Sequence, residues 1–158
     1  VVLYVYATVL ALTTSGAGAQ NAVWGGLMTA GAQARGVLGA VVSGRIRDVT
    51  EHHAAGFSVF ARGTSTVGQA QFTRVAEVQV PVAVNVDPQQ LGGLLAVTVN
   101  PGDLLVADEN GVVCVPKALE KDVLRLASKG REVDAACLQD IQSGMGVAES
   151  FRRHRGKL

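Results

Sequence analysis

Apolar residues in this chain come in short runs separated by Gly, Ser, Thr and Asp, the pattern of brief strands and helices joined by tight turns. Residues 37–42 (Val-Leu-Gly-Ala-Val-Val) read as a buried strand that ends at Gly44, and Phe57-Ser58-Val59-Phe60 alternates as a second strand before the polar loop 62–66. Between them, Asp48-Val49-Thr50-Glu51 has the spacing of a capping box, which predicts a short helix running to Gly56. Upstream, the small and apolar residues 29–35 suit a helix closed by Gly36. Helix followed by strand therefore repeats at the spacing of α/β units.

From Val78 the pattern turns to β. Residues 78–86 read as a strand that Pro81 confines to an edge or a bulge, 87–93 as a turn-rich insertion, and 94–99 as a further strand. Pro101-Gly102-Asp103 is a turn, and strands 104–107 and 112–115 flank a hairpin turn at Asp108-Glu109-Asn110-Gly111. That tetrapeptide has some likeness to a calcium loop, but it lacks the downstream ligands and reads as a turn. Residues 117–138 form a charged amphipathic helix with Leu119, Val123, Leu126 and Val133 as its apolar stripe, and 147–154 form a short basic tail helix after the break at 144–146. No internal repeat or linker divides the chain. It reads as a single domain over 1–158 with a C-terminal helical segment at 117–158.

At the start, residues 1–12 are apolar and Ala17-Gly18-Ala19 resembles a cleavage site, but no basic segment precedes them and the apolar part is too short to span a bilayer. The preferred reading is an internal strand, Val1 to Tyr6, in a domain that is incomplete at its N-terminus. Composition narrows the class further. The 158 residues are 48% hydrophobic and 17% charged, which is globular, and 14 basic against 13 acidic residues give no electrostatic reason to expect nucleic acid. No membrane partner is expected either. Cys114 and Cys137 fit no metal or redox spacing; Cys114 reads as a small buried hydrophobe, and the setting as reducing and cytoplasmic.

Chemistry concentrates where the strand after Val41 ends, at Arg47-Asp48. Taken by themselves, these residues have a structural reading: Asp48 as an N-cap and Arg47 as a surface partner for Glu51 one turn on. The Gly25-Gly26 step before a helix can expose amides that attract an anion, though most such pairs are simply turns. Adjacent His52 and His53 point about 100° apart on a helix, so they read as surface residues and not as a chelating pair. His154, among arginines, reads as part of a solvated tail. Arg62 and Thr64 follow a strand and could line a cleft.

Several stretches in the same order resemble the RraA-like family: Trp24-Gly25-Gly26-Leu27-Met28, Gly39 through Asp48, Gly56 through Thr64, Pro101-Gly102-Asp103, and Asp108 through Pro116. The similarity runs from about Asn21 to His154 and is greatest to fungal-type members. The family includes 4-hydroxy-4-methyl-2-oxoglutarate aldolases with oxaloacetate decarboxylase activity, and the regulator of ribonuclease E activity. The resemblance implies an α/β fold of the swivelling β/β/α sandwich type, β-rich layers covered by helices, assembled as a homo-oligomer (trimer or hexamer). It implies a small 2-oxo acid substrate held by the amides of Gly25, Gly26, Leu27 and Met28, with Arg47 gripping the carboxylate and enolate oxygen. It also implies Asp48 as ligand to Mg2+, Mn2+ or another divalent metal.

The chain departs from that pattern at definite places. The aldolases carry an acidic residue, twenty residues, then Arg-Asp; the position that far before Arg47 is Gly26. Ser43 stands where an aspartate often precedes the glycine, residues 87–93 look inserted, and the family's N-terminal portion reads as missing or replaced by residues 1–20. Loss of CO2 from oxaloacetate asks less of a proton relay than aldol cleavage and tolerates these departures better. The competing expectations are a non-catalytic regulatory binding protein or an inactive homologue. Retention of Asp48, which the regulator branch lacks, favours metal chemistry; Gly26 favours the others.

Overall fold

The computed structural model describes residues 9–13, 19–70, 72–84 and 97–156. The chain divides into two compact units, Val1–Lys117 and Ala118–Leu158. In the first, β1 (Val9–Thr13), β2 (Ala22–Trp24), α1 (Gly26–Gln33), β3 (Gly39–Ile46), α2 (Val49–Ala54) and β4 (Ser58–Thr64) follow one another. All four strands are parallel: β1 and β2 share one edge of β3, end to end, and β4 takes the other. β3 buries one face most fully, every second residue from Ala40 through Val42 and Gly44 to Ile46, while Val41, Ser43 and Arg45 on the other face are half-buried.

The core of this unit is Trp24, Ala32, Val37, Ala40, Val42, Ile46 and Phe57. Trp24 and Phe57 stack with ring centroids 6.2 Å apart and planes within 6° of parallel. Trp24 closes β2 and Phe57 precedes β4, so the stack ties the two helical crossovers to one core. Two antiparallel pairs complete the unit: β5 (Val82–Val84) with β6 (Val97–Val99), and the hairpin of β7 (Leu104–Asp108) and β8 (Gly111–Val115).

The α/β sandwich class expected from the sequence is what the chain forms, with several boundaries moved. Strand β3 runs through Gly44 to Ile46, because β2 and β4 both pair with its last residues and supply the hydrogen bonds that make glycine tolerable there. A register shift on the β4 side between Val42 and Arg45 absorbs the irregularity. β4 likewise continues through Arg62 to Thr64, where a loop was expected. Helix α1 starts at Gly26, three residues before the expected 29. It ends at Gln33, two residues before the expected 35, and Gly36 at a φ of +76° closes the turn that follows. Strand β5 begins directly after Pro81, as a proline at a strand start should. The expected strand over 1–6 and the insertion over 87–93 lie outside the described residues.

The second unit is α3 (Glu120–Gln142), preceded by a single 3-10 turn at Lys117–Leu119, followed by α4 (Val147–His154). Gly144 at φ +99° makes the turn between them. Buried Ser150 donates its hydroxyl to Cys137 O at 3.3 Å. His154 Nε2 lies 2.7 Å from Asp140 Oδ2, and Arg153 reaches the same oxygen at 3.3 Å. Two basic residues of the tail helix thus meet one acid of α3, and His154 is not the solvated tail residue expected. The stripe residues Leu119 and Leu126 remain 50% and 57% exposed. No helix among the described residues is long and apolar enough to cross a membrane.

Candidate active site

The site forms where β2 and β3 end beside the first turn of α1. The Arg47 backbone is fixed at both ends: its N–H donates to Trp24 O at 2.9 Å, and its carbonyl accepts from His52 Nε2 at 2.7 Å. His52 belongs to a buried chain. Trp24 Nε1 donates to Thr29 Oγ1 at 2.9 Å, and the Thr29 hydroxyl meets His52 Nδ1 at 3.0 Å. A carbonyl only accepts, so Nε2 carries the proton; the Thr29 hydroxyl then gives its own to Nδ1 while receiving the indole N–H. Every polar atom in this chain is satisfied, which is how such a network rigidifies a core. His52 is 2% exposed, so the expectation of a surface histidine is corrected: α2 turns this face onto α1, and the imidazole is consumed in joining the two helices. His53 is exposed.

Asp48 adopts φ +59° and ψ +39°, a left-handed conformation uncommon for a residue with a side chain. It occupies the N-cap position of α2, yet its carboxylate makes no bond to that helix. Instead Oδ2 accepts the Gly26 N–H at 3.0 Å, capping α1 from outside. The anticipated capping box is therefore not made. Arg47 Nε stands 3.5 Å from the same Oδ2, so its partner is Asp48 and not Glu51. Oδ1 has no partner among the described residues.

The glycines make room for this pair. A Cβ on Gly25 would stand 2.7 Å from Asp48 Oδ2 and 2.9 Å from Arg47 Nε, and one on Gly68 would stand 3.2 Å from Arg47 Nη1. The guanidinium thus lies between the step before α1 and the loop after β4, with about half of its side chain exposed. Among the four amides expected to cradle a substrate, Gly26 N is bonded to Asp48, and Met28 N donates to Gly25 O at 3.0 Å. The amides of Gly25 and Leu27 have no described backbone partner. The Leu27 side chain is 87% exposed beside them. The structure brings Gly25, Gly26, Leu27, Arg47 and Asp48 together. Arg62 turns to Ser43, donating to its hydroxyl at 3.2 Å, and Thr64 O accepts from Arg45 at 3.0 Å.

Sequence reasoning missed His52, Thr29 and Gly68 as supports of Arg47. The available signal was the polar Thr29 one turn into an apolar helix that follows a tryptophan. Away from this corner, Cys114 is half-buried and not the fully buried hydrophobe expected, its thiol 3.8 Å from Asp103 Oδ2. Burial and that carboxylate raise its pKa, which keeps it a thiol at neutral pH.

The fold and the corner define an α/β protein with a cation and an anion side by side at a strand end, before a helix start. The chain belongs to the RraA-like (Aldolase/RraA) family, which matches residues 6–114. A protein of Halalkalibacterium halodurans, provisionally named a 4-hydroxy-4-methyl-2-oxoglutarate aldolase, is 36% identical over 131 residues, covering 83% of this chain and 57% of the relative. A solved structure from Pseudomonas syringae pv. tomato is 30% identical with a TM-score of 0.78, covering 90% of this chain and 62% of that one. Another, from Streptomyces coelicolor, is an unusual member of the RNase ES inhibitor RraA protein family; it is 26% identical with a TM-score of 0.60, covering 85% and 62%. The chain spans little more than half the length of these relatives.

Proposed function

We propose that the chain is a divalent-metal-dependent carbon–carbon lyase acting on 2-oxo acids derived from pyruvate, as an oxaloacetate decarboxylase or a 4-hydroxy-4-methyl-2-oxoglutarate aldolase. The observation that supports this most is the convergence of the Arg47 guanidinium and the Asp48 carboxylate on the Gly25-Gly26 step. Asp48 holds a left-handed backbone while its carboxylate makes no bond to its own helix, and such strain collects at functional sites.

The donor set fits a hard cation. Asp48 offers Oδ1, His52 has both nitrogens engaged, and no group of three or more His, Cys, Asp or Glu suited to a metal exists among the described residues. Mg2+ accepts one or two carboxylates and fills its remaining positions with water, so Asp48 can hold it. When bound, the metal supplies positive charge beside the substrate's keto oxygen.

The chain's own residues do the rest. Arg47 grips the substrate carboxylate with two parallel N–H donors, its backbone immobilised by Trp24 and His52. The amides of Gly25 and Leu27, which have no described backbone partner, would bind the same anion at the start of α1. As the bond to the departing CO2 breaks, its electron pair passes into the pyruvate enolate. Arg47 stabilises that charge where it develops, and a proton from water then restores the methyl group. In retro-aldol cleavage the same pair of electrons is left on the enolate as the substrate's hydroxyl gives its proton to water and departs as a carbonyl compound. A homo-oligomer and a cytoplasmic setting belong to this proposal.

The second reading, a non-catalytic binding protein, is favoured by Gly26, which leaves the family's acidic position without a side chain. One assay separates them. The lyase reading expects oxaloacetate loss above the metal-only rate with Mg2+ or Mn2+, abolished by EDTA. A rate equal to that of the free metal ion supports the second reading.

A further inference from the structure

Both ends of the unmade capping box point at the same residue. Asp48 is drawn to Gly26 N, and the Glu51 carboxylate occupies the space a Cβ on Gly26 would need, its Cδ 2.7 Å from that position. Glu51 is the acid in the first turn of α2, but its carboxylate makes no hydrogen bond or ion pair among the described residues; Arg47, its expected partner, is taken by Asp48. Two carboxylates thus converge on one amide step, flanked by a single guanidinium. Like charges brought together raise each other's electrostatic cost unless a further positive charge joins them.

We propose that Glu51 is the second carboxylate of the cation site, taking from α2 the place of the side chain that position 26 lacks. The chain exchanges an acid on α1 for one on α2 and needs glycine at 26 to admit it. The inference rests on the lyase reading for the purpose of the cation, but not for its detection. A cation held by Asp48 and reached by Glu51, directly or through one of its waters, gains an oxygen ligand field with no third protein ligand. The alternative role is plain: α1 has no acid in its first turn, and Glu51 could serve only to offset the helix dipole there.

Mn2+ titration of the 158-residue chain, following the free ion by electron paramagnetic resonance, tests this without reference to turnover. Glu51→Gln should weaken Mn2+ binding about 10- to 100-fold, with a melting temperature unchanged or raised because a repulsion is relieved. The double variant Gly26→Asp/Glu51→Ala, which returns the carboxylate to α1, should regain most of the affinity. Glu51→Gln with unaltered Mn2+ affinity and a lowered melting temperature would reduce Glu51 to a dipole partner and overturn the proposal, as would a wild-type chain that takes up no Mn2+. Binding that depends on Glu51 in a chain with no oxaloacetate turnover would leave this inference standing and remove the lyase reading alone.

Discussion

Two aspartates, each beside the end of a strand, are used in opposite ways. Asp103 closes its own turn before β7: it accepts from Asn100 N at 2.8 Å, Lys117 N at 3.1 Å, Asn100 Nδ2 at 3.2 Å and the Cys114 thiol at 3.8 Å. Both oxygens are occupied by neighbours from the same turn and the hairpin that follows it. Asp48 leaves its own helix without a side-chain cap, takes a left-handed backbone, and gives one carboxylate oxygen to an amide of a different helix. Its other oxygen is unused among the described residues. The first arrangement lowers the free energy of the fold through local satisfaction. The second forgoes a cap worth about 1 kcal/mol and adds about 1–2 kcal/mol of backbone strain. A carboxylate held at such a cost, with a free oxygen, is positioned for something other than stability.

The largest expected effect breaks this symmetry outright. Asp48→Ala and Arg47→Ala should each lower metal-stimulated oxaloacetate decarboxylation by about 10²-fold or more, measured as kcat/KM, while the chain stays folded by circular dichroism. Arg47→Lys should recover little, because a point charge cannot reproduce a planar, two-pronged grip. Asp103→Ala should do the reverse, lowering the melting temperature with kcat/KM unchanged. If Asp48→Ala melts lower and keeps full turnover, the two aspartates are both structural and the site assignment fails.

A smaller effect is expected at Gly25. Its φ of −152° is open to any residue, so Gly25→Ala carries no backbone strain. The added methyl would instead press on Asp48 Oδ2 and Arg47 Nε at under 3.0 Å, displacing both side chains. Turnover should fall by up to about 10²-fold with little change in melting temperature. Equal loss of both would mean that the glycine serves packing, and that its closeness to the pair is incidental.

Much of this was legible in the sequence, for physical reasons that differ by region. Strand β3 and the hairpin of β7 and β8 follow from alternation and turn chemistry, which are local. The diversion of Asp48 and Glu51 could not be read that way: Asp48-Val49-Thr50-Glu51 is a sound capping box, and only the arrival of α1 from 22 residues upstream pulls Asp48 away. Burial of His52 has the same cause, since nothing in His52-His53 says which imidazole Thr29 will meet. The exposed stripe on α3 shows the converse, a periodicity that promises a core which the described chain does not place over it. Family resemblance pointed to Arg47 and Asp48, whereas long-range geometry supplied their supports.

The smallest expected effect lies on the structural side and concerns acid. Backbone hydrogen bonds from Asn100 and then Lys117 hold the Asp103 carboxyl below the usual carboxylate range, and the Asn110 amide does the same for Asp108. A carboxyl whose pKa is depressed on folding binds fewer protons in the folded than in the unfolded chain. Its stabilisation is therefore complete above the unfolded value, near pH 4, and is lost as pH falls through the folded one. Urea midpoints taken downward from about pH 6 to 3 should decline, and Asp103→Asn should start lower and decline less steeply. Parallel slopes would mean that the turn opens before its carboxyl is protonated, and the contrast with Asp48 would then rest on the catalytic variants alone. A shallower slope in Asp103→Asn with unchanged oxaloacetate turnover at neutral pH would place the whole contribution of Asp103 in folding, where its three neighbours put it.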